Sequence, residues 1–308
     1  MRNAFADEVT ELAARDSRIV LLSGDIGNRL FDRLRAQSPS QFINCGVAEA
    51  NMIGVAAGMA LSGLRPITYT ITPFTTTRCL EQIRVDVAYH EAPVIIVGTG
   101  SGLSYASLGP THHSLEDFAI LRAIPNIRIL APWDAVSLRC VLREALLDFT
   151  PTYMRIGKKG EKDILPAERV AGLGRLTALT QGDSVAIVAV GTVAIEAQRA
   201  AEQLRDIGIS ATVSLAHTVK PLPEDDLRRL FSRHPIVVTV EEHAVSAGFG
   251  ESTVSLAHRS GYSGRVIPLG VPDVFLSKAG SQGYARKLSG IDAESIVNIV
   301  RTSLTGAT

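Results

Sequence analysis

Short runs rich in β-branched residues alternate with longer helical periods along the whole of this chain, and that alternation restricts it to an α/β fold. In the first half Arg18–Leu22, Arg65–Tyr69, Pro93–Val97 and Ile127–Leu130 read as strands. Asn3–Arg15, Ala48–Leu61, Leu80–His90 and Ala135–Asp148 read as helices. The strands lack the apolar–polar alternation of a half-exposed sheet, so helices are expected on both faces of a doubly wound, mainly parallel sheet. The stretch RIGKKGEKDILPAERVAGLGR, residues 155–175, breaks the pattern: it is charged, glycine-rich and aperiodic, and reads as a connection. A second strand–helix series follows it, from Ser184–Val190 to a final helix near Ala293–Arg301. Two α/β domains are therefore expected, 1–160 and 183–308, joined by a linker at 161–182.

A chain of 308 residues has the length for two such domains, and 46% hydrophobic with 20% charged residues is ordinary core composition. Lysine plus arginine (31) balance aspartate plus glutamate (31), so no net field draws the chain to nucleic acid or an anionic membrane. No apolar run reaches the roughly 20 residues that a membrane helix needs. The N-terminal segment lacks a signal-peptide core. Cys45, Cys79 and Cys140 have no paired spacing, which fits a reducing, cytoplasmic setting and small buried side chains.

Chemistry concentrates in a few places. In GVAEANMIGVAAGMALSG (46–63) one carboxylate, Glu49, stands at the mouth of a helix that is apolar nearly all round. Such a helix is expected to be buried, and burial favours a carboxyl that holds or shares a proton. A plain helix-dipole role in the first turn explains the same placement. Four loops expected at strand ends carry further candidates. Asp25 lies between glycines in the loop Ser23–Asn28, and Thr72–Arg78 offers an aromatic face, Phe74, and a cation, Arg78. The long Gly/Ser-rich stretch Gly98–Ser114 ends in His112-His113, just before a helix with the Ser-x-x-Asp capping pattern. That position favours neutral, hydrogen-bonding histidines, and with no third ligand at metal-site spacing zinc is rejected. Arg155 follows an expected strand and suits a phosphate or carboxylate. No nucleophile elbow, Walker loop or Gly-x-Gly-x-x-Gly in strand–helix context is present.

In this order the segments resemble the C-terminal section of transketolases over nearly the whole chain. GVAEANMIGVAAGMALSG resembles the family's Gly-Ile/Val-x-Glu-x segment, with Glu49 on its glutamate. LGPTHHSLED resembles the Gly-Pro-Thr-His loop, and PNIRILAPWD a strand and loop of the pyrimidine-binding domain. AIVAVGT, HTVKPLP, VVTVEEH and GVPDVF resemble the transketolase C-terminal domain, in a form also seen in deoxyxylulose-phosphate synthases and oxo-acid dehydrogenase β subunits.

The resemblance implies thiamine diphosphate with Mg2+ as cofactors. In that family the glutamate hydrogen-bonds N1′ of the aminopyrimidine and promotes its imino tautomer, the role implied for Glu49. Phe74 corresponds to the aromatic that stacks on the pyrimidine, and Asp25 falls near the acidic residue of the first loop, close to the cofactor. His112 corresponds to the histidine that binds the donor ketose, with His113 beside it where the usual residue is glutamine. Arg155 matches the arginine that grips the sugar phosphate, and Arg78 adds a second cation. Two departures stand out: Leu108 replaces an aspartate, and the region of Gly100 lacks a histidine, so substrate hydroxyls lose two partners. The chain also lacks the Gly-Asp-Gly domain that binds magnesium and diphosphate, which implies a split enzyme in a heterotetramer with an N-terminal subunit. The expected activity is transfer of a two-carbon ketol unit between sugar phosphates or related sugars. Alternatives are the β subunit of a 2-oxo acid dehydrogenase or a deoxyxylulose-phosphate-synthase-like enzyme, and a non-catalytic oligomerising or regulatory relative.

Overall fold

The computed structural model describes residues 1–27 and 29–305. Among them the first half forms β1 (Ile19–Ser23), β2 (Phe42–Asn44), β3 (Arg65–Ile71), β4 (Ile95–Thr99), β5 (Arg128–Leu130) and β6 (Thr152–Ile156). The second half forms β7 (Leu176–Thr180), β8 (Val185–Val190) and β9 (Ala211–Ala216), then β10 (Thr218–Lys220), β11 (Ile236–Ala244) and β12 (Arg265–Val271). One sheet runs β10-β5-β6-β4-β3-β1-β2 and the other β12-β11-β8-β9-β7. From β2 to β5 every pairing is parallel, as is β9-β8-β11-β12. The fold is therefore the expected α/β type with two mainly parallel sheets. All residues of β1, β4, β6 and β8 are buried, because helices cover both faces, and this removes any alternation from their sequences.

The structure departs from the sequence reading at several points. β10 belongs to the second half yet pairs antiparallel with β5, so the two halves share backbone hydrogen bonds. β7 forms from the end of the expected linker and closes the second sheet antiparallel to β9. Half-exposed and five residues long, it carries little hydrophobic signal. The helix expected over Leu80–His90 is a single turn at Leu80–Gln82 continued as a π-helix over Ile83–Tyr89. Helix Glu49–Leu61 buries Met52, Ile53, Ala56, Ala57 and Ala60, whereas Leu61 at its end is 61% exposed. Its all-round apolarity is thus met by packing on one face only. No helix among the described residues is long and apolar enough to cross a membrane.

His217 fastens the connection to β10. Its Nε2 donates to the Ala171 carbonyl at 2.8 Å, so Nδ1 accepts from the Thr218 hydroxyl at 2.9 Å, and the ring tilts against Trp133. Burial pushes its pKa down, as it does for His113 and His234. The folded chain therefore resists a proton that the unfolded chain accepts, and stability falls as pH drops through the unfolded value of about 6.5. Urea midpoints measured at about pH 7.5 and about pH 5.5 are expected to differ less in His217→Gln, which has no proton to gain, than in the parent chain.

Candidate active site

β1, β3, β4 and β6 lie side by side and parallel, so the segments beyond their carboxyl ends converge. Gly24 follows β1, and a Cβ there would lie 3.4 Å from Glu49 Cγ and 3.0 Å from Thr70 Oγ1. The tight neighbour is Thr70 of β3, and the start of helix Glu49–Leu61 lies at ordinary contact distance beside it. Glu49 is only 3% exposed, and its Oε2 accepts from Arg78 Nη1 at 2.7 Å.

The guanidinium of Arg78 also lies over the Phe74 ring, 4.3 Å from its centroid. Phe74 meets His112 edge-on at 5.4 Å, His112 meets Tyr105 at 5.8 Å, and Lys158 Nζ stands 4.4 Å over the Tyr105 ring. The segments that follow β2, β3, β4 and β6 thereby build one row, Glu49–Arg78–Phe74–His112–Tyr105–Lys158. A buried carboxylate, an aromatic face, an imidazole and two cations in such a row suit a flat ring with N–H groups and a polar ligand with an anionic end.

Tyr105 and Lys158 are absent from the sequence-based candidates. Gly100, with φ +85°, is the signal that could have found the tyrosine: a Cβ there would lie 2.0 Å from Tyr105 Cε2. The tyrosine ring fills the space that a histidine side chain at this position would need.

Asp25 is exposed, with φ +57°, and accepts from Asn44 Nδ2 at 2.8 Å, while Asn44 Oδ1 accepts from the Gly46 amide at 3.0 Å. It ties the first loop to the turn that precedes Glu49. Asn28, the last residue of that loop, lies outside the described residues.

His113 does not join the row. It is buried, burial keeps its ring neutral, and it lines a cleft of 420 Å³ with Leu115, Ala244, Val274 and Phe275 from both halves. Adjacent histidines thus serve different surroundings.

Arg155 does not stand where the sequence reading put it. It lies within β6 rather than after it, is 2% exposed, and pairs with Asp117 at 2.8 Å. Its guanidinium packs 4.0 Å over Phe118 and also donates to the carbonyls of Ser114 and Glu242. The same carboxylate accepts from the Tyr153 hydroxyl at 2.6 Å. Three of its N–H groups are donated within the fold and the side chain is 2% exposed, so in this chain it is turned inward. Cys79, next to Arg78, is no nucleophile, because burial and then the charge of Glu49 push its thiol up to about 12.

Comparison with known proteins follows the same division of the chain. Residues 1–160 match the transketolase pyrimidine-binding domain and residues 174–296 the transketolase C-terminal domain. A 6-deoxy-6-sulfo-D-fructose transketolase subunit from a Clostridium species is 35% identical over 301 residues, covering 96% of this chain and 92% of that protein. The 1-deoxy-D-xylulose-5-phosphate synthase of Aquifex aeolicus is 36% identical over 308 residues, but these span only 48% of the synthase. Among solved structures, a split-gene transketolase in an inactive β4 tetramer superposes with a TM-score of 0.89 at 31% identity. The superposition covers 99% of this chain and 97% of that one.

Proposed function

Since the chain belongs to the transketolase family through both of its domains, we propose that it is the C-terminal subunit of a two-component transketolase, a transferase that uses thiamine diphosphate. It moves a two-carbon ketol unit between sugars. The observation that carries this reading is the Glu49–Arg78–Phe74 stack. A guanidinium, flat and rich in N–H groups, lies on Phe74 and hydrogen-bonds Glu49. An aminopyrimidine is also flat and N–H-bearing, so the same carboxylate and ring fit it once Arg78, 45% exposed, swings aside.

When bound, thiamine diphosphate supplies the nucleophilic carbon that breaks the ketose carbon–carbon bond. Glu49 would hold the pyrimidine at N1′ by a hydrogen bond of its carboxyl group. Phe74 supports the ring face, and Asp25 braces the loop beside it. His112 presents an imidazole N–H to an oxygen of the donor sugar. Lys158, rather than the enclosed Arg155, draws in the anionic end together with Arg78. Leu108 is 52% exposed where an aspartate is expected, so the substrate lacks one hydroxyl contact and need not be an ordinary pentose phosphate. A phosphate or a sulfonate serves equally as the anionic end.

Mg2+ and the diphosphate are held mainly by a partner subunit carrying the Gly-Asp-Gly motif, in a cytoplasmic heterotetramer. Similarity to separately encoded transketolase subunits along nearly their whole lengths supports the split arrangement. Calorimetric titration of thiamine diphosphate and Mg2+ into this chain, alone and mixed with the candidate partner, tests it. Binding in the mixture alone is the expected result. Tight binding to the isolated chain would overturn the shared site, and turnover of pyruvate in place of a ketose would overturn the reaction.

A further inference from the structure

One end of the loop that carries His112 is held by the side chain of Glu242 on β11, and the other is linked through Arg155 to the main-chain carbonyl of the same residue. The ends meet at a bridge between Gly102 and Ser114, where the Ser114 amide donates to the Gly102 carbonyl at 3.0 Å. On one side of this neck the Leu103 amide donates to Glu242 Oε2 at 3.0 Å. On the other, Arg155 donates to the Ser114 carbonyl at 3.3 Å and to the Glu242 main-chain carbonyl at 2.9 Å. The Glu242 carboxylate is fully buried and is itself fixed, by Arg286 Nε at 2.5 Å and the Gln282 side-chain amide at 2.9 Å. Arg286 pairs in turn with Glu196 at 3.1 Å. The neck has no slack, since a Cβ on Gly102 (φ +53°) would lie 2.5 Å from Glu242 Cβ.

A buried ion pair is a poor source of net stability, and well-packed apolar side chains serve the fold as well. What a carboxylate adds is direction: it fixes a particular backbone amide at hydrogen-bonding distance. Here the amide it fixes belongs to the neck from which residues 103–113 project, with Tyr105 and His112 among them.

We propose that Glu242 is a positioning residue that sets the place of the His112 loop from the second domain. The second domain then takes part in substrate recognition through the neck, without itself joining the row from Glu49 to Lys158. What His112 does there rests on the transketolase reading, whereas the clamp stands on geometry alone.

Hydrogen exchange of the full-length chain, resolved by peptide, separates the two. In Glu242→Gln the segment 102–114 is expected to exchange about tenfold faster, with β1 and β8 unchanged. Unchanged exchange in that segment overturns the clamp whether or not the chain is a transketolase. If Glu242→Gln speeds exchange everywhere, Arg286→Lys decides, because it loosens the carboxylate while keeping a cation beside it, and the hydrogen bonds of Arg286 go to Glu242, Glu196 and the Thr192 carbonyl rather than to the loop. Acceleration confined to 102–114 in that variant supports the clamp, and no acceleration there overturns it. In the reconstituted enzyme Glu242→Gln is expected to raise KM for the donor about tenfold without changing the affinity for thiamine diphosphate. An equal loss of cofactor affinity would mean that Glu242 supports the site as a whole, and would overturn a role specific to the loop.

Discussion

Glu49→Gln is expected to lower kcat of the reconstituted enzyme by about 10³-fold while leaving the unfolding midpoint of the chain where it is. The glutamine keeps the volume and hydrogen-bonding reach of the glutamate but cannot hold or release a proton. The carboxylate is buried at a helix start, where it is paired with the guanidinium of Arg78. Because Arg78 is 45% exposed, solvent screens the pair, and its loss changes stability by no more than about 1 kcal/mol. Activity and stability therefore separate in this variant. Steady-state rates and urea unfolding on the same preparation provide the check, and activity within tenfold of the parent would return the non-catalytic reading.

Arg155→Leu is expected to do the reverse. Arg155 and Asp117 are both almost wholly enclosed, and removing the cation leaves the carboxylate with Tyr153 as its remaining hydrogen-bonding side chain. Breaking a buried pair from one side costs about 3–5 kcal/mol, a large part of the stability of an ordinary domain. The guanidinium also joins the Ser114 carbonyl to β11, so the cost spreads to the contact between the halves. Urea midpoints are expected to fall sharply, and to recover in part in the double variant Arg155→Leu, Asp117→Leu, where no charge is left stranded. Activity should decline as folded protein is lost, together with the rise in KM that freeing the Ser114 side of the neck brings. A raised KM at unchanged stability would restore Arg155 as a substrate grip.

These two residues mark how far local sequence reaches. Glu49 is legible because it breaks an apolar helix, and Phe74 and His112 because they stand in loops at the ends of strongly patterned strands. Arg155 was legible only as a residue type at a strand: whether its charge is free or paired depends on Asp117, 38 positions earlier, and on a carbonyl of β11. Tyr105 and Lys158 escaped for a related reason. Each lies in a polar loop without periodicity, and what joins them to His112 is the packing of two loops whose strands are neighbours in the sheet but distant in the chain. The exposed end of helix Glu49–Leu61 carries the same lesson, since apolarity announces a need for burial and says nothing of which face finds it first.

By itself the sequence determined the α/β class, the two-part organisation, the family resemblance and most of the row of candidate side chains. These follow from periodicity and from short motifs, which act over a few residues and need no knowledge of partners. The tertiary structure alone decided that β10 crosses to the first sheet, that Arg155 is locked away while Lys158 faces Tyr105, and that Glu242 grips the neck of the His112 loop. Each of these is a contact between residues far apart in the chain. Strand register, burial and unpaired charge select it jointly, and none of those quantities is a property of any one segment.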